Sequence, residues 1–202
     1  MTAMTQKILD NNGTLDKYNG DAQMAFWNAP LDDKQHALNA VKTGLEMLND
    51  LEKFNAEIAQ EGIPAFGMGL GINTGNVVVG NMGSSQRFDY TCLGDSVNLA
   101  SRLEGQSKPY HVRIVLGERT AELVKNSYHV IELDCIAVKG KKEGVKIFTI
   151  MDSADWARSH VVTHNNFLKM YYEGDWTRAR RYAVDLKRLF NGKLEHYYDM
   201  ML

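Results

Sequence analysis

Tyr90-Thr91-Cys92-Leu93-Gly94-Asp95-Ser96-Val97-Asn98-Leu99-Ala100-Ser101-Arg102-Leu103-Glu104 is the stretch whose reading decides the fold. Residues 87–92 can make a strand. Asp95 then reads as the cap of a short helix that runs to about residue 105. On that helix Asn98 and Arg102 stand four apart, so they share one face. A strand therefore presents Thr91, and the helix that follows presents an amide and a guanidinium side by side.

Upstream, Gly67, Gly69 and Gly71 alternate, which leaves one face of a strand without side chains. Either something approaches that backbone closely or the strand bends. Residues 65–72 and 76–79 read as a hairpin turned at Asn73-Thr74-Gly75. Before them lies a long amphipathic helix capped by Asp32 or Asp33, with Ala37, Val41, Leu45, Leu48, Leu51 and Ile58 on one face and Gly62 and Pro64 as its stop. Residues 14–18 and 22–27 read as two short strands around Asn19-Gly20, a strong hairpin signal. Residues 1–11 read as the end of a helix.

Downstream, residues 112–116, 128–133 and 146–150 read as strands and 118–125 as a helix. A basic loop, Lys139-Gly140-Lys141-Lys142, leads into the last strand. Composition shifts after residue 152. Residues 153–172 and 175–190 read as two helices broken at Glu173-Gly174-Asp175, similar to the turn of a helical-hairpin repeat. One such unit cannot bury its own face, so it must pack on something. The domain reading is thus 1–152 plus a helical C-terminal extension, 153–202.

The 202 residues are 44% apolar and 24% charged, ordinary globular composition. The net charge of -2 argues against a broad nucleic-acid surface but leaves room for a local basic pocket. Cys92 and Cys135 have no metal-ligand spacing and read as packed thiols of a cytoplasmic protein. No apolar run approaches the roughly 20 residues of a membrane span. This chain is expected to make no membrane contact, and any anchor of a parent protein would come from other segments. The six histidines form no ligand spacing, and the methionines read as core.

Three segments stand out together: Asp16-Lys17-Tyr18-Asn19-Gly20-Asp21-Ala22, the Tyr90–Glu104 stretch, and Val138-Lys139-Gly140-Lys141. In this order they resemble the class III adenylyl and guanylyl cyclase catalytic domain, from about residue 5 to 150. The resemblance implies an α+β fold, a ferredoxin-like βαββαβ palm sheet with helices on one face. It implies conversion of ATP to cyclic AMP and pyrophosphate. Lys17 and Thr91 match the purine-reading pair in its bacterial adenylate cyclase form, Asn98 the ribose-orienting residue, and Arg102 the residue that stabilises charge on the α-phosphate. Lys139 matches a phosphate-contacting lysine. Asp21 matches one of two aspartates that hold two Mg2+ or Mn2+ ions on the triphosphate. The family works as a homodimer with composite sites. Two departures stand beside the match. The family pattern begins with a strand carrying the other metal aspartate, and no residue here matches it, so a palm lacking its first strand is expected. Asn19 replaces a usually aliphatic residue. These departures keep a second reading open, a catalytically impaired pseudo-cyclase that binds nucleotide or regulates a partner.

Overall fold

The computed structural model describes residues 2–84, 86–137, 144–151 and 157–202, with the side chain of Arg87 outside the description. The boundary proposed at 152 and 153 and the basic loop at 139–142 lie outside the described residues. Fifteen described elements follow one another as α1 (Thr2–Asp10), β1 (Thr14–Asn19), β2 (Ala22–Phe26), α2 (His36–Ala59), β3 (Leu70–Ile72), β4 (Val78–Ser84), β5 (Arg87–Leu93), α3 (Asp95–Gln106), β6 (Ile114–Gly117), α4 (Glu118–Val124), β7 (His129–Ile136), β8 (Val145–Met151), α5 (Arg158–Tyr172), α6 (Trp176–Leu189) and α7 (Glu195–Met200).

The α+β class holds, but the strands form three separate sheets among the described residues. A four-stranded sheet runs β3-β6-β8-β7, and β1-β2 and β4-β5 are hairpins. The outer edges of β2 and β3 carry no partner strand among the described residues. Helices cover both faces of the four-stranded sheet, not one. The alternation of its side chains explains this. Ile114, Leu116, Phe148 and Ile150 face α2 and α4, whereas Val115, Ile131, Leu133 and Ile147 face α3 and the C-terminal helices.

Several local expectations shift. Residues 70–72 do not pair with 76–79. β3 runs parallel to β6, and 78–84 pairs instead with 87–93. The glycine face accounts for this, because it lies against α3. A methyl group at Gly71 would fall 2.2 Å from the Glu104 nitrogen and 2.3 Å from the Ala100 oxygen. In the first hairpin Asn19 belongs to β1, paired with Ala22. The turn is Gly20-Asp21, with Gly20 at φ 64°, the positive φ a two-residue hairpin needs at its first position. Helix α2 starts at His36. Asp33 does not cap it but shapes the turn before it, accepting from the Gln35 backbone at 2.8 Å and from Asn39 Nδ2 at 2.8 Å. Gly94 occupies the cap position of α3, and Asp95 is its first residue, where a carboxylate favours the positive end of the helix dipole.

Helices α5 to α7 are continuous with the main core. Phe167, Ala179, Ala183, Leu186, Phe190, Tyr197 and Tyr198 are almost wholly buried and share one cluster with Leu103, Val115, Leu133 and Ile147. The reason is that the sheet face they cover is apolar. The bulge of β7 between Glu132 and Asp134 also leaves edge carbonyls to be satisfied. Tyr197 Oη donates to the Leu133 oxygen at 2.6 Å, and a ring nitrogen of His164 lies 2.6 Å from the Glu132 oxygen. Since a carbonyl only accepts, His164 Nε2 carries the proton, and Nδ1 accepts from Tyr198 Oη at 2.7 Å. That tautomer is the neutral ring. Desolvation lowers the His164 pKa to about 4, against the weaker opposing pull of the Glu132 carbonyl.

Two outcomes follow from this packing. Removing residues 157–202 uncovers the Leu103, Val115, Leu133 and Ile147 face, so the shortened chain should lose its cooperative thermal transition. An unchanged transition would show that the helices are a detachable appendage. For His164 the folded pKa lies below the unfolded value near 6.5, so the unfolded chain binds the extra proton first as pH falls. Stability present above about pH 6.5 should decline by about 3 kcal/mol on acidification to pH 4. This part of the pH slope should be absent from His164→Gln in denaturant titrations.

Candidate active site

The site residues gather on two hairpins and one helix. Strand β1 carries a bulge: Leu15 pairs with Ala25 and Lys17 with Met24, leaving Asp16 as the extra residue. A bulge turns neighbouring side chains that would otherwise face opposite ways, and here Asp16 and Lys17 come together. The Lys17 ammonium lies 3.3 Å from Asp16 Oδ1, with the lysine side chain 48% exposed and the aspartate side chain fully buried. From β5, the buried Thr91 donates its hydroxyl to Asp16 Oδ2 at 2.6 Å. The two residues expected to read the purine are thus brought together through a third. The contact between the rings of Phe26 and Tyr90, centroids 6.0 Å apart, supports the same junction of hairpins.

Helix α3 starts at Asp95, with only Gly94 between it and β5. Its buried side, Leu103 with Leu99 behind it, faces the core. Asn98 is exposed and Arg102 half-buried on the turn beyond it. The glycine face of β3 holds this helix against the sheet, which fixes where both side chains emerge. Asn73 Nδ2 donates to the Ser96 oxygen at 3.0 Å and pins the first turn.

Asp21 sits exposed at the tip of the β1-β2 hairpin and makes no hydrogen bond or ion pair with the described residues. An unengaged carboxylate is a hard oxygen donor suited to Mg2+ or Mn2+. Among the described residues no three His, Cys, Asp or Glu side chains cluster as a metal site. Asp21 thus offers one oxygen donor of the kind a divalent ion takes. Lys139 lies outside the described residues. Two surface depressions, one lined by Glu132, Lys169 and Tyr172 and one by Arg180, Lys187 and Asp199, lie on the helical cap rather than beside the hairpins.

Asp16 is the residue that motif reading passed over. Its signal is an acidic residue directly before Lys17. The bulge that aligns the two is invisible to a two-residue period.

No described helix is long and apolar enough to cross a membrane. The chain is 33% identical over 147 residues to adenylate cyclase 1 of Rhizobium meliloti, covering 73% of this chain and 22% of that protein. It is 40% identical to the terminal-differentiation specific adenylate cyclase of Dictyostelium discoideum, covering 72% of this chain and 7% of that protein. The chain thus spans well under a third of these relatives. Among solved structures, the adenylyl cyclase CyaB from P. aeruginosa aligns with a TM-score of 0.70 at 35% identity, covering 75% of this chain and 78% of that one. The guanylyl cyclase Cya2 aligns at 0.66 and 33%, covering 74% and 75%. The family described as the adenylate and guanylate cyclase catalytic domain matches residues 6–152, and with the hairpins and helix arranged as above, the chain belongs to that family.

Proposed function

We propose that this chain is the catalytic domain of an adenylate cyclase, converting ATP to 3′,5′-cyclic AMP and pyrophosphate in signal transduction. The observation that carries this reading is the pairing of an exposed ammonium, Lys17, with the Thr91 hydroxyl around one carboxylate. A donor beside an acceptor matches the edge of adenine, with its ring nitrogen and exocyclic amine. Asn98 would orient the ribose. Arg102 would stabilise the charge that builds on the α-phosphate, a task its planar fork suits. Lys139 would hold phosphate oxygens.

In the reaction the ribose 3′-oxygen loses its proton and bonds to the α-phosphorus. The bond from that phosphorus to the bridging oxygen breaks, and pyrophosphate leaves. Divalent ions bound at Asp21 would lower the charge on the attacking and departing oxygens. The residues of this chain do the positioning, which supplies much of the lowering of the barrier in such displacements.

The active form in this reading is a homodimer with composite sites. Lys17, Thr91 and Lys139 serve one site with Asn98 and Arg102, and Asp21 serves the partner's. Apolar side chains along the β4-β5 hairpin support an interface there: Val78 is 67% exposed, Phe88 62% and Leu93 55%. Exposed apolar groups grouped on one hairpin are typical of association surfaces. A second reading is nucleotide binding without turnover, by a chain in which Asp21 is the one carboxylate that the motif match assigns to metal.

The test is cyclic nucleotide formation by the purified chain with Mn2+ and ATP or GTP across protein concentrations. Cyclic AMP from ATP alone, with specific activity falling on dilution, is expected. Arg102→Ala should lower kcat by about 10²–10³ while leaving the melting temperature in place. ATP binding without product at any concentration would favour the second reading.

A further inference from the structure

We propose that Asp16 is a positioning residue that sets the purine choice by fixing the direction of one hydrogen bond; this rests on the reading of Lys17 and Thr91 as the base-contacting pair. Asp16 is an unusual residue to bury. Its side chain is wholly inaccessible, and Oδ1 has the Lys17 ion pair at 3.3 Å but no hydrogen bond. Burying a carboxylate with incomplete hydrogen bonding is costly. An apolar side chain at the bulge would suit the fold better, so the carboxylate has a use beyond folding.

The use follows from hydrogen-bond polarity. A carboxylate only accepts, so the Thr91 hydroxyl proton, 2.6 Å away at oxygen–oxygen distance, is committed to Asp16 Oδ2. What remains on Thr91 Oγ is lone pairs. Because Thr91 is buried, packing holds that orientation, and solvent does not reset it. The same carboxylate attracts the Lys17 ammonium, which can only donate. The pair therefore presents an acceptor beside a donor. Adenine offers an exocyclic amine donor beside a ring-nitrogen acceptor and meets both. Guanine offers a carbonyl acceptor beside a ring N–H donor and opposes both. A threonine left to itself could turn its proton toward the guanine carbonyl. Asp16 removes that option.

Competition of ATP and GTP against a fluorescent nucleotide on the full chain tests this at equilibrium, with thermal melts as the folding control. Asp16→Asn keeps the shape but lets an amide donate to Thr91, freeing the hydroxyl proton. Its preference for ATP should fall at least about tenfold, the size of loss expected when a polar pairing is mismatched. Asp16→Ala should relax the preference toward parity. In a Thr91→Val background, Asp16→Asn should change the preference much less than in the wild type, since the larger part of the effect passes through the hydroxyl. A wild-type preference for ATP that survives folded Asp16→Asn and Asp16→Ala overturns the proposal and leaves the base-reading pair standing. A wild-type chain with no preference removes the base-reading pair and this inference together. Should neither variant fold, the wild type carries the test by NMR. The shielded Thr91 hydroxyl proton should persist as a slowly exchanging signal with ATP bound, and its disappearance on ATP binding would count against Asp16.

Discussion

Helix α3 lies so close to β3 that a side chain at Gly71 would collide with the Ala100 and Glu104 backbone. Much else hangs on that approach. It seats Leu103 at the centre of the larger core cluster, where sheet and C-terminal helices meet. It draws residues 70–72 away from any pairing with 76–79 and into parallel register with β6. It also fixes the helix that carries Asn98 and Arg102 relative to the strand that carries Thr91, because only Gly94 lies between β5 and α3.

Around that contact the molecule uses bulges twice, each time to turn a backbone irregularity into a junction. In β1 the extra residue, Asp16, reaches across to Thr91 and joins two hairpins that otherwise form separate sheets. In β7 the irregularity near Leu133 exposes carbonyls that Tyr197 and His164 satisfy, and this fastens the helical cap to the sheet edge. The first junction brings Lys17 and Thr91 together. The second fastens onto β7, an edge strand otherwise open to unwanted pairing.

Much of this was legible in the residues. The 87–104 stretch places its strand and helix nearly to the residue, and the alternating glycines announce a close backbone approach. Lys17, Thr91, Asn98 and Arg102 lie on the elements expected of them. What could not be read came from long-range geometry. Periodicity shows that 70–72 is a strand but not which strand it joins. The α5-α6 pair had to pack on something, and only the apolar second face of the sheet shows what. Short acidic caps misled for a local reason: Asp33 sits two residues before the cap position of α2 and bonds the turn there, and Asp95 sits one residue after the cap position of α3. Asp16 needed a bulge to become visible.

The central claim is that one nucleotide-binding face is built from β1, β5 and α3 and selects ATP. Titrating ATP, with GTP as control, into the isotopically labelled chain and following backbone resonances tests it most directly. The account predicts shifts concentrated at residues 16–21, 90–93 and 94–102 with ATP, and weaker ones with GTP. Shifts confined to the helical cap, or equal responses to both nucleotides, would contradict it.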